Sequence, residues 1–210
     1  MAGHNGAADN NPSQPESLNG SGKLRLFVAI ELPEFVKEAL AKLQAEIRKS
    51  PFKAKWTDPE NIHLTLKFLG DTPVSCMDAI HAKLGAATAG FLPITLWAAG
   101  LSVFPGPKRP RVLWTGARGE TDKLARLHKQ VEDHLSAIGF EKEDRSFKAH
   151  LTLARFKGRV DPENLASVIT RCGDFATDSF TVDALCLFES RLTPQGPVYR
   201  RLQRHTLKAA

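Results

Sequence analysis

His63 and His150 each lead the same four residues, His-Leu-Thr-Leu, within "NIHLTLKFLG" (61–70) and "KAHLTLARFKG" (148–158). Imidazole titrates near neutrality, so of two copies one can carry a proton while the other is bare. Thr65 and Thr152 come two positions after each histidine, and a hydroxyl can donate to a phosphate oxygen. A general acid, a general base and two anion-holding donors are a minimal kit for breaking a P–O bond without a metal. A single His-x-Thr on a strand is usually plain, half-exposed sheet surface. Duplication and the chemical sense of the set lift this pattern above that reading.

The segments around the motifs must bring the two copies together. Alternate residues of a strand face opposite sides. In the first copy Ile62, Leu64, Leu66 and Phe68 are expected to face a core, and His63, Thr65 and Lys67 to face away. In the second, Ala149, Leu151 and Leu153 face the core, and Lys148, His150 and Thr152 face away. Apolar runs over 24–32, 93–104, 111–117, 179–190 and 198–207 read as further strands. Gly70 is read as closing the first motif strand. Helical spacing is expected over 34–49, 74–88 and 120–139, the last stopped by Gly139. A fourth helix over 161–172 opens with Asp161 as N-cap and Pro162 at its first position. The order helix, His-strand, helix, strand occurs twice, which reads as an internal duplication. The economical fold is α+β, with two pseudo-symmetric lobes. Each lobe is a mostly antiparallel sheet with helices on its outer face, and the active cleft lies between the lobes.

The 210 residues are 42% hydrophobic, enough for one large domain or two packed lobes. Lys and Arg total 29 against 23 acidic residues, a formal charge of +6 that suits an anionic partner without proving one. Cys76, Cys172 and Cys186 are odd in number and show no CxxC spacing, which argues against a disulfide framework or a zinc cluster. Residues 1–22 are rich in Asn, Gly, Ser and Pro and are expected to be a disordered tail ahead of a single domain over 23–210. No apolar run is long enough for a secretory signal or a membrane span, so a cytoplasmic protein is expected. A GxxxxGK[ST] loop is also missing, so no nucleotide-driven step is expected.

The paired motifs resemble those of the 2H phosphoesterase superfamily, and within it the RNA 2′,3′-cyclic phosphodiesterase family, also called 2′-5′ RNA ligase. "RLFVAIELP" (25–33) looks like that family's opening strand. "HLTLKFLG", "FPGPKRPRVLW" (104–114), "HLTLAR" (150–155) and "SRLTPQGPVYRRL" (190–202) look like its later blocks, in order. The resemblance implies a monomeric, cofactor-free and metal-independent hydrolase that opens RNA 2′,3′-cyclic phosphate ends, tRNA halves among them, to 2′-phosphomonoesters. It implies that His63 protonates the leaving 3′ oxygen and that His150 activates water. Thr65 and Thr152 would hold the cyclic phosphate, with Arg155 near it. Run backward, the same pair would make a 2′-5′ bond without ATP. Simple alternation sets Arg155 opposite His150 and Thr152, so the strand must bulge, or end by Ala154, for Arg155 to reach the cleft.

Two enzymatic rivals stay within the superfamily: action on 2′-5′ oligoadenylate or on small cyclic nucleotides. A binding module without turnover would be expected to show a degraded motif, and both motifs are intact. A His-based metalloenzyme would want an HExxH or an acidic cluster nearby. His81, His128 and His134 sit in helical patterns and read as surface or packing residues, and His205 as an exposed strand residue. Lys108, Arg109 and Arg111 form a basic loop that, with Lys67, could line an RNA groove. Trp56, Trp97 and Trp114 read as core.

Overall fold

The computed structural model describes residues 22–194 and 196–209, so the tail expected over 1–22 lies, but for Gly22, outside the described residues. The chain runs β1 (Lys23–Ile30), α1 (Glu34–Ile47), β2 (Ala54–Trp56), β3 (Leu64–Pro73), α2 (Met77–Thr88), β4 (Ile94–Phe104) and β5 (Val112–Gly119). It continues through α3 (Thr121–Ser136), β6 (His150–Phe156), α4 (Pro162–Cys172), β7 (Phe180–Val182), β8 (Ala184–Thr193) and β9 (Gly196–Thr206). The helices follow their apolar spacing: Val36, Leu40, Leu43 and Ile47 of α1, and Leu124, Leu127, Val131 and Leu135 of α3, are buried. Asp161 caps α4 by accepting from Asn164 N at 2.9 Å, with Pro162 at the first helical position. Gly139, at φ 97°, ends the turn after α3 in the left-handed region that glycine favours.

The strands run in the order β7-β4-β5-β6-β3-β1-β8-β9, every named pairing antiparallel, with β2 added alongside β6. Two half-sheets result. One is β3-β1-β8-β9, which α2 and α3 cover. The other is β7-β4-β5-β6-β2, against which α1 and α4 pack. They meet at β3 and β6, where Leu64 and Leu151 form the registered pair. These are the two lobes that the duplicated pattern led us to expect, but they are not the two halves of the sequence. β4 from the first half joins the second lobe, and β8 and β9 return to complete the first.

The run 179–190, expected as one strand, shows how the chain changes lobes. It breaks at Asp183, so that β7 pairs with β4 in one lobe and β8 with β1 in the other. Asp183 O accepts from Leu207 N at 2.8 Å, and its carboxylate pairs with Arg204 at 2.6 Å. Gly70 does not close the first motif strand: at φ 67° it lies in a β-bulge, and β3 continues to Pro73. Among the described residues no helix is long and apolar enough to cross a membrane.

Candidate active site

The Leu64–Leu151 pairing is antiparallel, so the register on either side of it sets His63 toward Thr152 and Thr65 toward His150. Leu64 and Leu151 are buried in the core, while all four motif residues are only partly covered. Each imidazole is anchored in the same way. His63 Nδ1 lies 2.8 Å from Asn61 O, and His150 Nδ1 lies 2.7 Å from Lys148 O. A carbonyl can only accept, so Nδ1 must carry the hydrogen, and in the neutral rings Nε2 holds the free lone pair. Two rings with fixed tautomers, each offering Nε2 beside a threonine of the opposite strand, can accept or deliver one proton apiece.

The surroundings of the two rings differ. His63 packs against Phe27 (centroids 4.8 Å apart) and Tyr199 (5.2 Å), with Phe188 stacked on Phe27 at 5.1 Å. Burial among these rings pushes the pKa of His63 below its usual 6.5. The Asn61 carbonyl opposes that shift, and the proximity of His150 adds to it. His150 instead meets Phe104 edge-on at 5.0 Å and Trp114 at 6.0 Å. Lys148 Nζ lies 5.7 Å from the centre of the Phe104 ring.

Both motif strands bulge just after the threonine. In β3 the pairing with β1 steps from Thr65 to Lys67, passing over Leu66. In β6 the pairing with β5 steps from Thr152 to Ala154, passing over Leu153. An extra residue reverses the facing of every later side chain in the strand. Ala154 therefore turns inward with Leu153, and Arg155 turns out on the side of His150 and Thr152. The positive charge of Arg155 acts on the Tyr199 phenol, together with that of Arg25, against the burial that raises the phenol's pKa. Arg155 thus stands on the cleft side, close to a ring that touches His63. The bulged Leu153 carbonyl accepts from Gln44 Nε2 of α1 at 2.9 Å, and the same amide donates to Thr57 O at 2.7 Å.

The same reversal corrects two expectations in the first copy. Lys67 does not face the cleft. It is buried beneath the sheet, with Nζ 2.8 and 2.9 Å from the two Glu132 oxygens and 2.6 Å from Glu141 O. Phe68, expected in the core, is 70% exposed, and its ring lies 6.2 Å from Phe27.

Of the tryptophans, only Trp56 packs on the core. Trp97 is exposed, and Trp114 stacks on Phe104 at 4.6 Å beside His150. His205 is not a plain exposed strand residue: it meets His81 of α2, away from the cleft. His128 stacks on Phe147. Lys108, Arg109 and Arg111 are exposed on the loop after Phe104, at the His150 end. Phe27, Phe188 and Tyr199 were missed as site residues. They come from three strands far apart in sequence, and the signal available was the place of Phe27 and Tyr199 inside recognisable blocks.

Two lobes of antiparallel sheet joined at paired His-x-Thr strands define a bilobal phosphoesterase fold. A Thermus thermophilus protein of known structure superposes with a TM-score of 0.72 at 29% identity, covering 88% of this chain and 98% of that one. Escherichia coli LigT, solved with 3′-AMP, also reaches 0.72, at 24% identity over 89% of this chain and 99% of its own. The chain belongs to the LigT-like phosphoesterase family, whose model matches residues 30–114 and 116–199. Among curated relatives, the RNA 2′,3′-cyclic phosphodiesterase of Aeropyrum pernix is 35% identical over 81% of this chain and 95% of its own length. That of Archaeoglobus fulgidus is 34% identical over 86% and 98%.

Proposed function

We propose that this protein hydrolyses RNA 2′,3′-cyclic phosphate ends to 2′-phosphomonoesters with His63 as acid and His150 as base. The observation that carries the reading is the matched pair of imidazoles, each fixed through Nδ1 to a carbonyl two residues back. The curated relatives named above carry this activity in their names. Water between His150 and phosphorus gives its proton to His150 Nε2 as its oxygen bonds to phosphorus. The P–O3′ bond breaks on the opposite side, and O3′ takes the proton from His63 Nε2. Thr65 and Thr152 hydroxyls donate to the non-bridging oxygens, and the Arg155 guanidinium adds a charge-assisted contact. The products are a 3′-hydroxyl and a 2′-phosphomonoester. The proton taken up by His150 replaces, overall, the one lost from His63.

The depressed pKa of His63 bears on its role. In the free protein burial favours the neutral ring, whereas a leaving-group acid must be charged. An anionic phosphodiester arriving beside the ring stabilises the imidazolium and restores the proton. The acid is thus armed by its substrate. With a 5′-hydroxyl in place of water the same pair would form a 2′-5′ bond: His150 takes the hydroxyl proton as that oxygen bonds to phosphorus, and O3′ leaves with the proton from His63. The deciding experiment incubates a 2′,3′-cyclic-ended oligonucleotide with the protein in EDTA and locates the phosphate. A 2′-phosphate is expected. A 3′-phosphate, or loss of activity restored only by added metal, would overturn the reading.

A further inference from the structure

β2 continues the line of β3 along β6. β6 pairs with β3 at Leu151 and, further on, with β2 at Ala154, Arg155 and Phe156. Ala54 and Trp56 of β2 pack on the core alongside Phe156 and Ala154, so the residues that alternate with them face the cleft side. Lys55 stands directly opposite Arg155. Lys157 N donates to Lys53 O at 2.6 Å, which carries the same register on and sets Lys53 opposite Lys157. All of these cations are exposed. Like charges directly opposite each other weaken a sheet. Neither Lys53, Lys55, Arg155 nor Lys157 forms an ion pair with a described residue. The arginines of β9 show the alternative: Arg200 pairs with Glu189 at 2.8 Å, Arg201 with Glu31 at 2.7 Å and Arg204 with Asp183 at 2.6 Å. Opposed cations without carboxylates cost the sheet stability, and an anion from outside the chain accounts for them. Rows two residues apart along a strand are separated by about 6.6 Å, which suits a chain of repeated charges better than one small anion.

Resting on the reaction proposed above, we infer that this ladder of cations on β2 and β6 binds the backbone of the RNA that ends in the cyclic phosphate, through the phosphates next upstream of the reacting one. Its direction follows from the register. O3′ leaves toward His63, so the strand that carries it departs on that side of the site. The Leu64–Leu151 pairing sets His63 toward Thr152, and the ladder runs along β6 from Thr152 past Arg155 to Lys157, away from His150. It begins at the reacting phosphate and lies in the path of the departing chain. The ladder stands on the second lobe, apart from the aromatic floor of Phe27, Phe188 and Tyr199 on the first. Lysine meets phosphate as a point charge, and phosphate contacts carry no base information. The ladder therefore reads the length of the RNA and not its sequence. A mononucleoside 2′,3′-cyclic phosphate has no upstream phosphate and gains nothing from it.

The test uses the triple variant Lys53→Gln/Lys55→Gln/Lys157→Gln, which leaves Arg155 in place, and 2′,3′-cyclic phosphates of increasing length from a mononucleoside to a tetranucleotide. Wild-type kcat/KM is expected to rise with length by on the order of 10-fold at low salt, and by less at high salt. The variant should keep the mononucleoside rate and lose the rise. Its denaturant midpoint should lie at or above that of the wild type, because the cross-strand repulsion is gone. A wild-type rate independent of length would overturn the inference, as would a variant that keeps the rise. A variant less stable than the wild type would overturn it too, since the opposed cations would then be no cost to the sheet. Fluorescence anisotropy with a labelled single-stranded RNA ending in a 3′-hydroxyl reads the ladder without turnover. The slope of log K against log salt should be shallower in the variant by about 1.4, which is two phosphate contacts on a single strand. An unchanged slope would reject the ladder. Equal binding of a labelled oligoglutamate of the same charge would reject RNA as its occupant in favour of an acidic protein. If no cyclic end is opened, the proposed reaction fails, and the anisotropy decides the ladder alone.

Discussion

The first and second motif copies start as the same four residues and end in opposite chemistry. After the shared bulge, the first places Lys67 under the sheet and Phe68 on its open face. The second places Ala154 under the sheet and Arg155 on the open face. The backbone event is the same; the side chains delivered by it are not. His63 sits among aromatic rings that favour its neutral form, while His150 sits among Phe104, Trp114 and Lys148. An acid–base pair must be unequal, because two identical imidazoles would tend toward the same protonation state. Duplication supplies the geometry, and the aromatic residues that flank the first copy lower the proton affinity of His63.

The largest effect is expected from removing either ring. His63→Ala and His150→Ala should each lower kcat on a mononucleoside 2′,3′-cyclic phosphate by about 10²–10⁴-fold with folding intact. The double variant should be no worse than the product of the two losses. Near-normal turnover in either single variant would remove the paired-motif comparison altogether.

Making the buried positions alike comes next. Lys67→Ala copies Ala154 into the first motif and removes the cation bonded to both oxygens of the buried Glu132 carboxylate, leaving it the Glu143 N–H and the nearby His128 ring. Breaking such a pair should lower the unfolding free energy by about 3–5 kcal/mol, read by denaturant titration. Adding Glu132→Leu should recover most of it. A single variant as stable as the wild type would show that the two copies do not differ at this position in any way that matters to the fold.

Making the open-face positions alike is expected to affect substrate. Arg155→Phe copies the first motif and should lower kcat/KM by roughly 10–100-fold, the range for one charged hydrogen bond. Gln44→Leu removes the amide from the bulged Leu153 carbonyl and should reproduce part of that loss. In the Arg155→Phe background it should add little, because both changes act on the same guanidinium. Additive losses would mean that Gln44 supports the fold and not the placement of Arg155.

The smallest effect concerns the unequal protonation. Phe188→Ala lets water nearer His63 and should raise its pKa toward 6.5. The limb of the kcat/KM profile that reports His63 should then move to higher pH, by less than about one unit. A limb that stays put, or moves down, would show that burial is not what depresses the pKa of His63.

Much of this was readable in the sequence. Period-2 alternation placed both His-x-Thr pairs on one face, and helical spacing located α1, α2, α3 and α4. The alternation argument fails from Lys67 onward because it assumes one side chain per pleat. A bulge adds a residue without any signature in composition, and only the register against β1 and β5 reveals it. The aromatic floor was hidden for a different reason. Phe27, Phe188 and Tyr199 meet only because β8 and β9 return beside β1, a long-range pairing that local pattern cannot specify. The break at Asp183 was hidden for the same reason: 179–190 reads as one apolar run, yet its two ends belong to different sheets.

The exchange of strands between lobes has a consequence for how the chain folds. Neither 30–114 nor 116–199 contains all the strands of either half-sheet, so neither repeat can close a sheet by itself. β1, near one end of the described chain, needs β8, near the other, before its lobe is whole. Such distant partners are slow to find each other because a long loop must be closed before any contact rewards it. Expressed alone, either repeat should remain an unfolded chain, and mixing the two should restore ordered sheet. Although the site is built from a pattern written twice, neither copy carries the strands that its own half-sheet needs.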